Sequence, residues 1–297
     1  MMGRLNPYEQ ACLDALTPAC LYDGAETPST PIVFSSPHSG SIYPDALCEM
    51  SLLSLENLRR NEDVKIDDLY ATVTEHGAAF IKARFPRCYV DVNRAPDEWP
   101  PYSSALGPET YMPSTARARA GLGVIPTVIA DELPIYDRPL RKSTIKARLN
   151  ALYYPYHGAL QTALDKATAR FGHALLIDCH SMPGFTISGT RRPDIVLGDR
   201  YGTSCQPTTL RFIEDIFKAH GYSVSRNAPY AGGYITSHYG KHETHVEAIQ
   251  IEINRDLYLN PQSYTLKRSY DGLKQNLETI TQQIISGFCR VEPLAAQ

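Results

Sequence analysis

Apolar and polar positions along this chain change repeatedly from the spacing of strands to the spacing of helices. Short apolar runs predict strands, and longer segments with apolar residues at helical spacing predict helices. The predicted strands are residues 32–34, 79–83, 88–92, 174–178 and 248–253. The predicted helices are residues 52–77, 144–171, 210–220 and 263–288. This alternation predicts an α/β fold in which helices cover both faces of a central sheet.

One Pro-rich stretch interrupts the alternation. Its prolines are Pro96, Pro100, Pro101, Pro108, Pro113, Pro126, Pro134 and Pro139. Such a stretch inside a compact chain is typical of a functional loop or lid. We therefore predict a single domain over residues 1–297, with a loop or lid at about 95–139.

Composition limits the classes of partner. The 297 residues carry 29 Lys and Arg against 32 Asp and Glu, so no strong basic field is available to bind nucleic acid. No apolar run approaches the ~20 residues needed to span a bilayer, so no membrane partner is expected. The 7 cysteines are an odd number without a C-x-x-C pair. Together with an N-terminus that lacks a secretion signal, they predict a cytoplasmic protein.

Chemistry-bearing residues follow the predicted strands. His38 comes shortly after the strand at 32–34, and His180 after the strand at 174–178. Asn93 and Arg94 follow the run at 88–92. Ligands of open α/β sheets bind outside the carboxyl ends of strands, so these side chains are candidates for one site.

For the two histidines together, a metal site and a structural role are about equally well supported by the sequence. Neutral imidazole is a zinc ligand, but most single histidines instead bond a backbone carbonyl. The best third ligand is Asp63, with its neighbour Glu62 as competitor, although acids in a charged segment are usually solvated. Candidate holders of the second ring nitrogens are Asp178, Ser39 and Ser181.

Glu252 lies between Ile251 and Ile253 in an apolar strand. A buried ionised carboxylate is costly unless it has a partner or a chemical role. The structural alternative is a salt bridge to Arg255 or another arginine. The functional one is acid–base catalysis beside a metal, taking a proton from water and giving it to a leaving amine.

Taken in order, several short segments resemble the N-formylglutamate amidohydrolase (deformylase) family. They are Ser36-Pro37-His38-Ser39-Gly40, Glu62-Asp63, Asp91-Val92-Asn93-Arg94, Tyr156-His157-Gly158, Asp178-Cys179-His180-Ser181, Gly232-Gly233-Tyr234-Ile235-Thr236 and Gln250-Ile251-Glu252-Ile253-Asn254-Arg255. The resemblance extends over about residues 31–258. The family is akin to zinc carboxypeptidases and aspartoacylases, which implies a three-layer α/β/α sandwich around a mixed central sheet.

The resemblance implies zinc-dependent hydrolysis of an N-formyl amino acid, of the N-formylglutamate type, to formate and the free amino acid. One Zn²⁺ per chain is expected, with other divalent metals as possible substitutes. His38, Asp63 and His180 stand where the metal ligands fall, and Glu252 where the general base falls. The expected partner is a small N-acyl amino acid, and the chain is expected to be a monomer or a weak homo-oligomer.

Asn93 and Arg94 resemble the Asn-Arg pair that zinc carboxypeptidases use on substrate carboxylate and carbonyl oxygens. Arg94 suits a bidentate clamp on an α-carboxylate, and its alternative is a structural ion pair with Asp91 or Asp97.

Two further candidates concern substrate contacts. His157 either packs among the neighbouring tyrosines or stabilises an oxyanion. Tyr234, beside Gly232 and Gly233, is a candidate substrate contact.

The sequence departs from the family at one position. Many relatives have a histidine at about the position of Glu247, so a role for that imidazole is either lost here or has moved to His245.

Three alternatives stay open at this point. A serine hydrolase could use Ser36, Ser39 or Ser181, but the chain lacks G-x-S-x-G. A catalytically inactive binding module would keep His38 and His180 as structural residues. A zinc hydrolase of the same fold could act on longer N-acyl amino acids or on a peptide end.

Overall fold

The computed structural model describes residues 5–103, 113–129, 132–260 and 262–289. Its strands are β1 (Cys20–Asp23), β2 (Ile32–Ser36), β3 (Ala79–Ala83), β4 (Tyr102–Ser103), β5 (Leu140–Arg141), β6 (Ala174–Met182), β7 (Ile195–Gly198), β8 (Val224–Arg226) and β9 (Val246–Asn254). Its α-helices are α1 (Pro7–Leu16), α2 (Asp45–Met50), α3 (Leu55–Leu58), α4 (Ile66–Leu69), α5 (Ala116–Arg119), α6 (Lys142–Arg148), α7 (Tyr154–Phe171), α8 (Pro207–Ala219), α9 (Tyr234–Tyr239) and α10 (Tyr270–Phe288).

Seven strands form one sheet in the order β1-β3-β2-β6-β9-β7-β8. β2, β6 and β9 run parallel, whereas β7 is antiparallel to β9 and parallel to β8. β4 and β5 pair in a small second sheet. The α/β class with a mixed central sheet is thereby confirmed.

Contacts between Cα atoms divide the chain into two compact units built from interleaved segments. The first unit comprises Met1–Leu21, Pro37–Glu62 and Lys82–Ala159. The second comprises Tyr22–Ser36, Asp63–Ile81 and Leu160–Gln297. A single domain stays a prediction from the sequence.

The second unit contains a large apolar cluster. Alternate residues of a strand face the same side of the sheet, so Ile249, Ile251 and Ile253 of β9 all point into this cluster. Residues of β2, β6 and β7 join them, together with apolar side chains of α4, α8 and α10. The helical spacing of these side chains on α10, such as Leu273 and Leu277, matches burial of a single stripe.

The first unit contains a buried ion pair between α1 and α6. Arg148 is fully buried, and its Nε and Nη2 donate to the two carboxylate oxygens of Glu9 at 2.6 and 2.9 Å. Tyr89 donates to the same carboxylate at 2.6 Å, and Arg148 also donates to Tyr136 at 2.8 Å. Because both charges are hydrogen-bonded, their burial is tolerated, and the pair attaches α1 to this unit.

Most predicted elements are confirmed, but three predictions are wrong in part. The predicted helix at 52–77 is broken into short pieces, because Lys65 takes a left-handed φ of 63° between α3 and α4. The apolar run at 88–92 forms turns rather than a strand, with the Tyr89 amide donating to the Pro86 carbonyl. The last helix begins at Tyr270 rather than at residue 263. The long helix at 144–171 is present, with one π-helical turn at Leu149–Tyr153.

The predicted lid at 95–139 lies partly outside the described residues, because 104–112 and 130–131 are not among them. Within the described ranges, no helix combines the length and the apolar character that a membrane span requires. The seven cysteines, all among the described residues, are free thiols.

Candidate metal centre and active site

Buried polar side chains cross the sheet of the second unit in two short rows. The register places Ser35 of β2 beside Asp178 of β6, and Asp178 beside Gln250 of β9. Two residues further along the strands, His180 lies beside Glu252. Because side chains alternate along a strand, all five share the face opposite the apolar cluster. The sheet thus gathers on one face the polar residues that the sequence places near its strand ends.

His180 is held between two carboxylates. Its Nε2 lies 2.8 Å from Oδ2 of Asp178, and its Nδ1 lies 3.1 Å from Oδ2 of Asp63. The other oxygen of Asp178 accepts a hydrogen bond from the Ser35 hydroxyl at 3.1 Å. Burial alone would lower the pKa of His180, but the charge of Asp178 and the hydrogen bonds to both carboxylates raise this pKa well above its ordinary value. Asp178 therefore orients the ring and turns Nδ1 towards Asp63.

Asp63 reaches His180 from the turn that interrupts the predicted helix. Its Oδ1 accepts from the Ser181 hydroxyl at 3.0 Å and from Nη2 of Arg255 at 2.7 Å. These two donors fix the carboxylate so that Oδ2 faces His180. Arg255, which the sequence offers as a partner of Glu252, thus pairs with Asp63.

Glu62, the competing ligand candidate, has different partners. Its carboxylate accepts from Arg59 at 2.9 and 3.2 Å and from the Tyr43 hydroxyl at 3.1 Å. The structure therefore places Asp63, and not Glu62, beside a candidate histidine ligand.

Glu252 is only 6 % exposed, and its carboxylate is hydrogen-bonded to the side-chain amide of Gln250. Its Oε1 accepts from Nε2 of Gln250 at 2.7 Å. Oε1 of Gln250 in turn accepts from the backbone amide of Gly233 at 2.9 Å. The carboxylate thus lies beside His180 with a neutral hydrogen-bond donor on one oxygen.

His38, in the first unit, is also held by a carboxylate. Its Nε2 lies 2.7 Å from Oδ1 of Asp91. The same oxygen accepts a hydrogen bond from the backbone amide of Asn93 at 2.9 Å. Oδ2 of Asp91 accepts from Nε of Arg87 at 3.0 Å, and Nε of Arg94 lies 3.8 Å away. Burial alone would raise the pKa of Asp91, but the charges of both arginines and the contact with His38 hold this pKa well below its ordinary value. Asp91 is therefore an ionised acceptor that orients the imidazole.

Arg87, Asp91 and Arg94 line a cavity of about 290 Å³ in the first unit. Its other walls are mainly apolar and include Leu122 and Pro126 from the Pro-rich stretch. Burial and the nearby positive charges of Arg87 and Arg117 lower the pKa of Arg94 to about 10, against the opposing effect of Asp91. The cavity is thus lined by two guanidinium groups together with the carboxylates of Asp91 and Glu132.

The two remaining substrate-contact candidates have structural partners. His157 places Nε2 2.9 Å from the Val92 carbonyl oxygen, and its ring centroid lies 4.4 Å from that of Tyr153. Tyr234 opens α9, stacks on His238 at 4.9 Å and contacts its Nδ1 through the hydroxyl. Contact of either residue with a substrate stays a prediction.

His38, Asp63 and His180 form a buried group that can hold a metal ion. One candidate ligand atom from each residue lies within 4.8 Å of the other two. Two imidazoles and a carboxylate are a donor set that suits zinc and related divalent metals.

Comparisons with known proteins identify the family. The family model for N-formylglutamate amidohydrolase matches residues 30–259. The chain belongs to this family.

Two curated relatives are N-formylglutamate deformylases. The protein from Pseudomonas aeruginosa is 32 % identical over 238 residues, covering 78 % of this chain and 84 % of the relative. The protein from Pseudomonas putida is 28 % identical over 264 residues, covering 87 % and 92 %. A crystal structure of an N-formylglutamate amidohydrolase from Ralstonia eutropha JMP134 superposes with a TM-score of 0.83 at 32 % identity, covering 92 % of this chain and 99 % of that one.

Glu247, where the family resemblance led us to expect a histidine, has structural partners of its own. Its carboxylate accepts a hydrogen bond from the backbone amide of Gln206 at 2.8 Å, immediately before the first turn of α8. It also accepts one from the Cys205 thiol. Glu247 and His245 lie at the start of β9, whereas Glu252 lies near its end, ~3.3 Å per residue further along. A role for the His245 imidazole stays a prediction.

Three residues around the candidate site have contacts that the sequence reasoning missed. Asp91 holds His38, Arg87 lines the cavity beside Arg94, and Gln250 binds Glu252. Asp91 and Gln250 stand inside segments that carry the family resemblance, two residues before Asn93 and Glu252. That spacing places each on the same strand face or turn as a candidate, and it is the signal that could have identified them.

Proposed function

We propose that this protein is a metal-dependent amidohydrolase that cleaves the formamide bond of an N-formyl amino acid of the N-formylglutamate type, releasing formate and the free amino acid. The observation that carries the proposal is the buried group of His38, Asp63 and His180, in a chain of the N-formylglutamate amidohydrolase family. The deformylase names of its curated relatives support the substrate class.

The surroundings of the three candidate ligands fit a metal ion. Nε2 of each imidazole is held by a carboxylate, so Nδ1 is the nitrogen that each would offer. Oδ1 of Asp63 is held by Arg255 and Ser181, so Oδ2 is its ligand oxygen. Zinc is the metal that we propose, one per chain, with cobalt or manganese as substitutes. When bound, such an ion supplies Lewis acidity towards a carbonyl oxygen and towards water.

Glu252 is the general base of the proposal. Its carboxylate lies beside His180 in the sheet and is nearly excluded from solvent. From that position it can take a proton from the attacking water and give it to the departing amine. A formamide needs this second transfer because an amine anion is a poor leaving group.

Arg94 and Asn93 are the substrate-binding residues of the proposal. Arg94 lines the cavity with a planar guanidinium, which suits bidentate binding of an α-carboxylate. Its Nε lies 3.8 Å from Oδ2 of Asp91, beyond hydrogen-bond distance, and instead donates to the Leu122 carbonyl at 3.1 Å. Residues that bind the substrate and residues that orient His38 therefore meet at Asp91.

The test combines metal analysis with a panel of substrates. Purified protein should carry about one equivalent of a divalent metal and release formate from N-formylglutamate. N-acetylglutamate, longer N-acyl glutamates and short peptides should be poorer substrates at equal concentration. Faster amine release from the longer acyl compounds would identify the alternative hydrolase. Little or no bound metal, with no turnover on any of these compounds, would identify a binding module.

A further inference from the structure

We infer that Gln250 is a positioning residue, whose carboxamide holds the Glu252 carboxylate in the orientation from which it exchanges protons. The inference rests on the proposed function, since it requires Glu252 as the base. It concerns a residue that does not itself touch the reacting atoms and acts through Glu252.

The orientation of the Gln250 amide is determined by its neighbours. A backbone N–H can only donate, so the atom 2.9 Å from the Gly233 nitrogen must be the amide oxygen. The NH₂ group therefore points the other way, to Oε1 of Glu252 at 2.7 Å. A flipped amide would place two donors together at Gly233 and two acceptors together at Glu252. The bond from Gln250 to Glu252 thus has one direction only.

The backbone that anchors this amide is itself held in place. Gly198 of β7 lies beside Gln250 in the register, and a Cβ there would come within 2.7 Å of the Ala231 carbon and the Gly232 nitrogen. Only glycine lets the 231–233 segment approach the sheet this closely. The Gly233 carbonyl also accepts from the Thr236 hydroxyl at 2.9 Å, which ties the segment to α9. The 231–233 backbone, which holds the Gln250 amide oxygen, is therefore itself fixed in place.

A strand alone does not determine where a glutamate carboxylate points. β9 is paired on both sides, with β6 and β7, so the Cα of Glu252 is well fixed. Its side chain still has three rotatable bonds, and ordering them costs conformational entropy. Misplacement by ~1 Å can lower a rate about 10²-fold. The hydrogen bond from Gln250 constrains one oxygen of this carboxylate.

The experiment compares Gln250→Met with Gln250→Asn in the metal-loaded enzyme. The Met side chain is similar in length but cannot donate a hydrogen bond to Glu252. The Asn side chain keeps the amide but is one methylene shorter. We expect kcat on N-formylglutamate to fall about 10- to 100-fold in both, with KM and bound metal within twofold of wild type. If the Met variant does not fold, the Asn variant alone provides the test. Loss of metal, or a rise in KM with kcat unchanged, would contradict positioning of the base.

Ile251→Val provides a matched control in the same strand. Ile251 lies between the two residues but faces the apolar cluster. This substitution removes one buried methylene and should lower the melting temperature with little change in kcat. A fall in kcat equal to that of Gln250→Met would mean that any disturbance of β9 suffices, and would overturn the inference.

A double-mutant cycle separates this inference from the proposed function. If Gln250 acts through Glu252, Gln250→Met should have almost no further effect on kcat in a Glu252→Gln background. If Glu252→Gln lowers kcat steeply but Gln250→Met lowers the remaining rate by the same factor as in the wild type, the base assignment stands and the inference fails. If Glu252→Gln has nearly wild-type kcat, the base assignment of the proposed function fails instead.

Discussion

Glu252, the proposed base, lies in a buried polar row of the sheet, beside His180 and bonded to Gln250. An ionised carboxylate in such a place loses much of its hydration, so its retention by the fold needs compensating contacts. A role in proton transfer explains why a carboxylate occupies this position rather than an apolar residue.

For Glu252→Gln we expect retention of metal and fold, and a fall in kcat of at least 10²-fold, because the amide cannot accept the proton. Metal analysis measures the bound metal, and steady-state kinetics measures kcat. Glu247→Gln is the matched control, since it makes the same change in the same strand at a residue that caps α8. Near-wild-type turnover of Glu252→Gln would remove its assigned role.

Arg94→Ala should raise KM for N-formylglutamate about 10- to 100-fold, from the ~1.5–3 kcal/mol of a hydrogen bond to a charged group. The same compound with its α-carboxylate converted to an amide should be affected much less. The comparison needs KM values for both compounds. Arg138→Ala, at a side chain 83 % exposed, should change neither value. Equal effects of Arg94→Ala on the two compounds would argue against a carboxylate clamp.

Between elements, α4 is tied to α10 through one carboxylate. Asp68 accepts hydrogen bonds from the Tyr270 hydroxyl and from Nζ of Lys274 at 2.9 Å. Partial burial alone would raise the pKa of Asp68, but these bonds and the charge of Lys274 lower this pKa below its ordinary value. Asp68 is thus more acidic in the folded than in the unfolded chain.

This lowered pKa has a consequence for acid stability. The contribution of Asp68 is fully present above the unfolded value of ~3.9 and is lost as pH falls through the lower folded pKa. Asp68→Asn should therefore lower the melting temperature by about 1–3 °C at pH 7, with a smaller difference below pH ~4. Thermal unfolding from pH 3 to 7 measures this, with the exposed Asp271→Asn as control. A difference that grows at low pH would contradict the assignment.

For the whole molecule, the candidate ligands are far apart in sequence, at positions 38, 63 and 180. An unfolded chain offers no such group, so an ion that binds these residues binds the folded chain preferentially. Metal binding should therefore contribute to global stability as well as to chemistry.

Removal of the metal by a chelator should lower the melting temperature by about 5 °C or more, since tight binding contributes ~3–4 kcal/mol at ligand excess. Re-addition of zinc should restore it. His180→Ala should fold but show little difference between chelated and zinc-treated samples in the same thermal scan. An equal shift in His180→Ala would mean that the stabilising ion binds elsewhere.

The predictions that failed at the level of elements have two different causes. Periodicity identified β2, β6 and β9 because these strands lie in the sheet interior, where burial requires apolar runs. It misassigned residues 88–92, since a buried turn can be as apolar as a strand. The break before α4 was invisible for another reason. Its left-handed residue is a lysine, whereas glycine is the usual marker of such a conformation.

The sequence by itself determined the α/β class, most strands and helices, and the residue types of the candidate site, because apolar periodicity and residue chemistry are local properties. It could not decide between Glu62 and Asp63, or between Arg255 and other partners for Glu252. Those choices depend on which side chains meet across the fold, and the structure places Asp63 beside His180 and Arg255. The carboxylates that orient His38 and His180 likewise emerge only when separate segments come within hydrogen-bond distance, and only tertiary packing determines those distances.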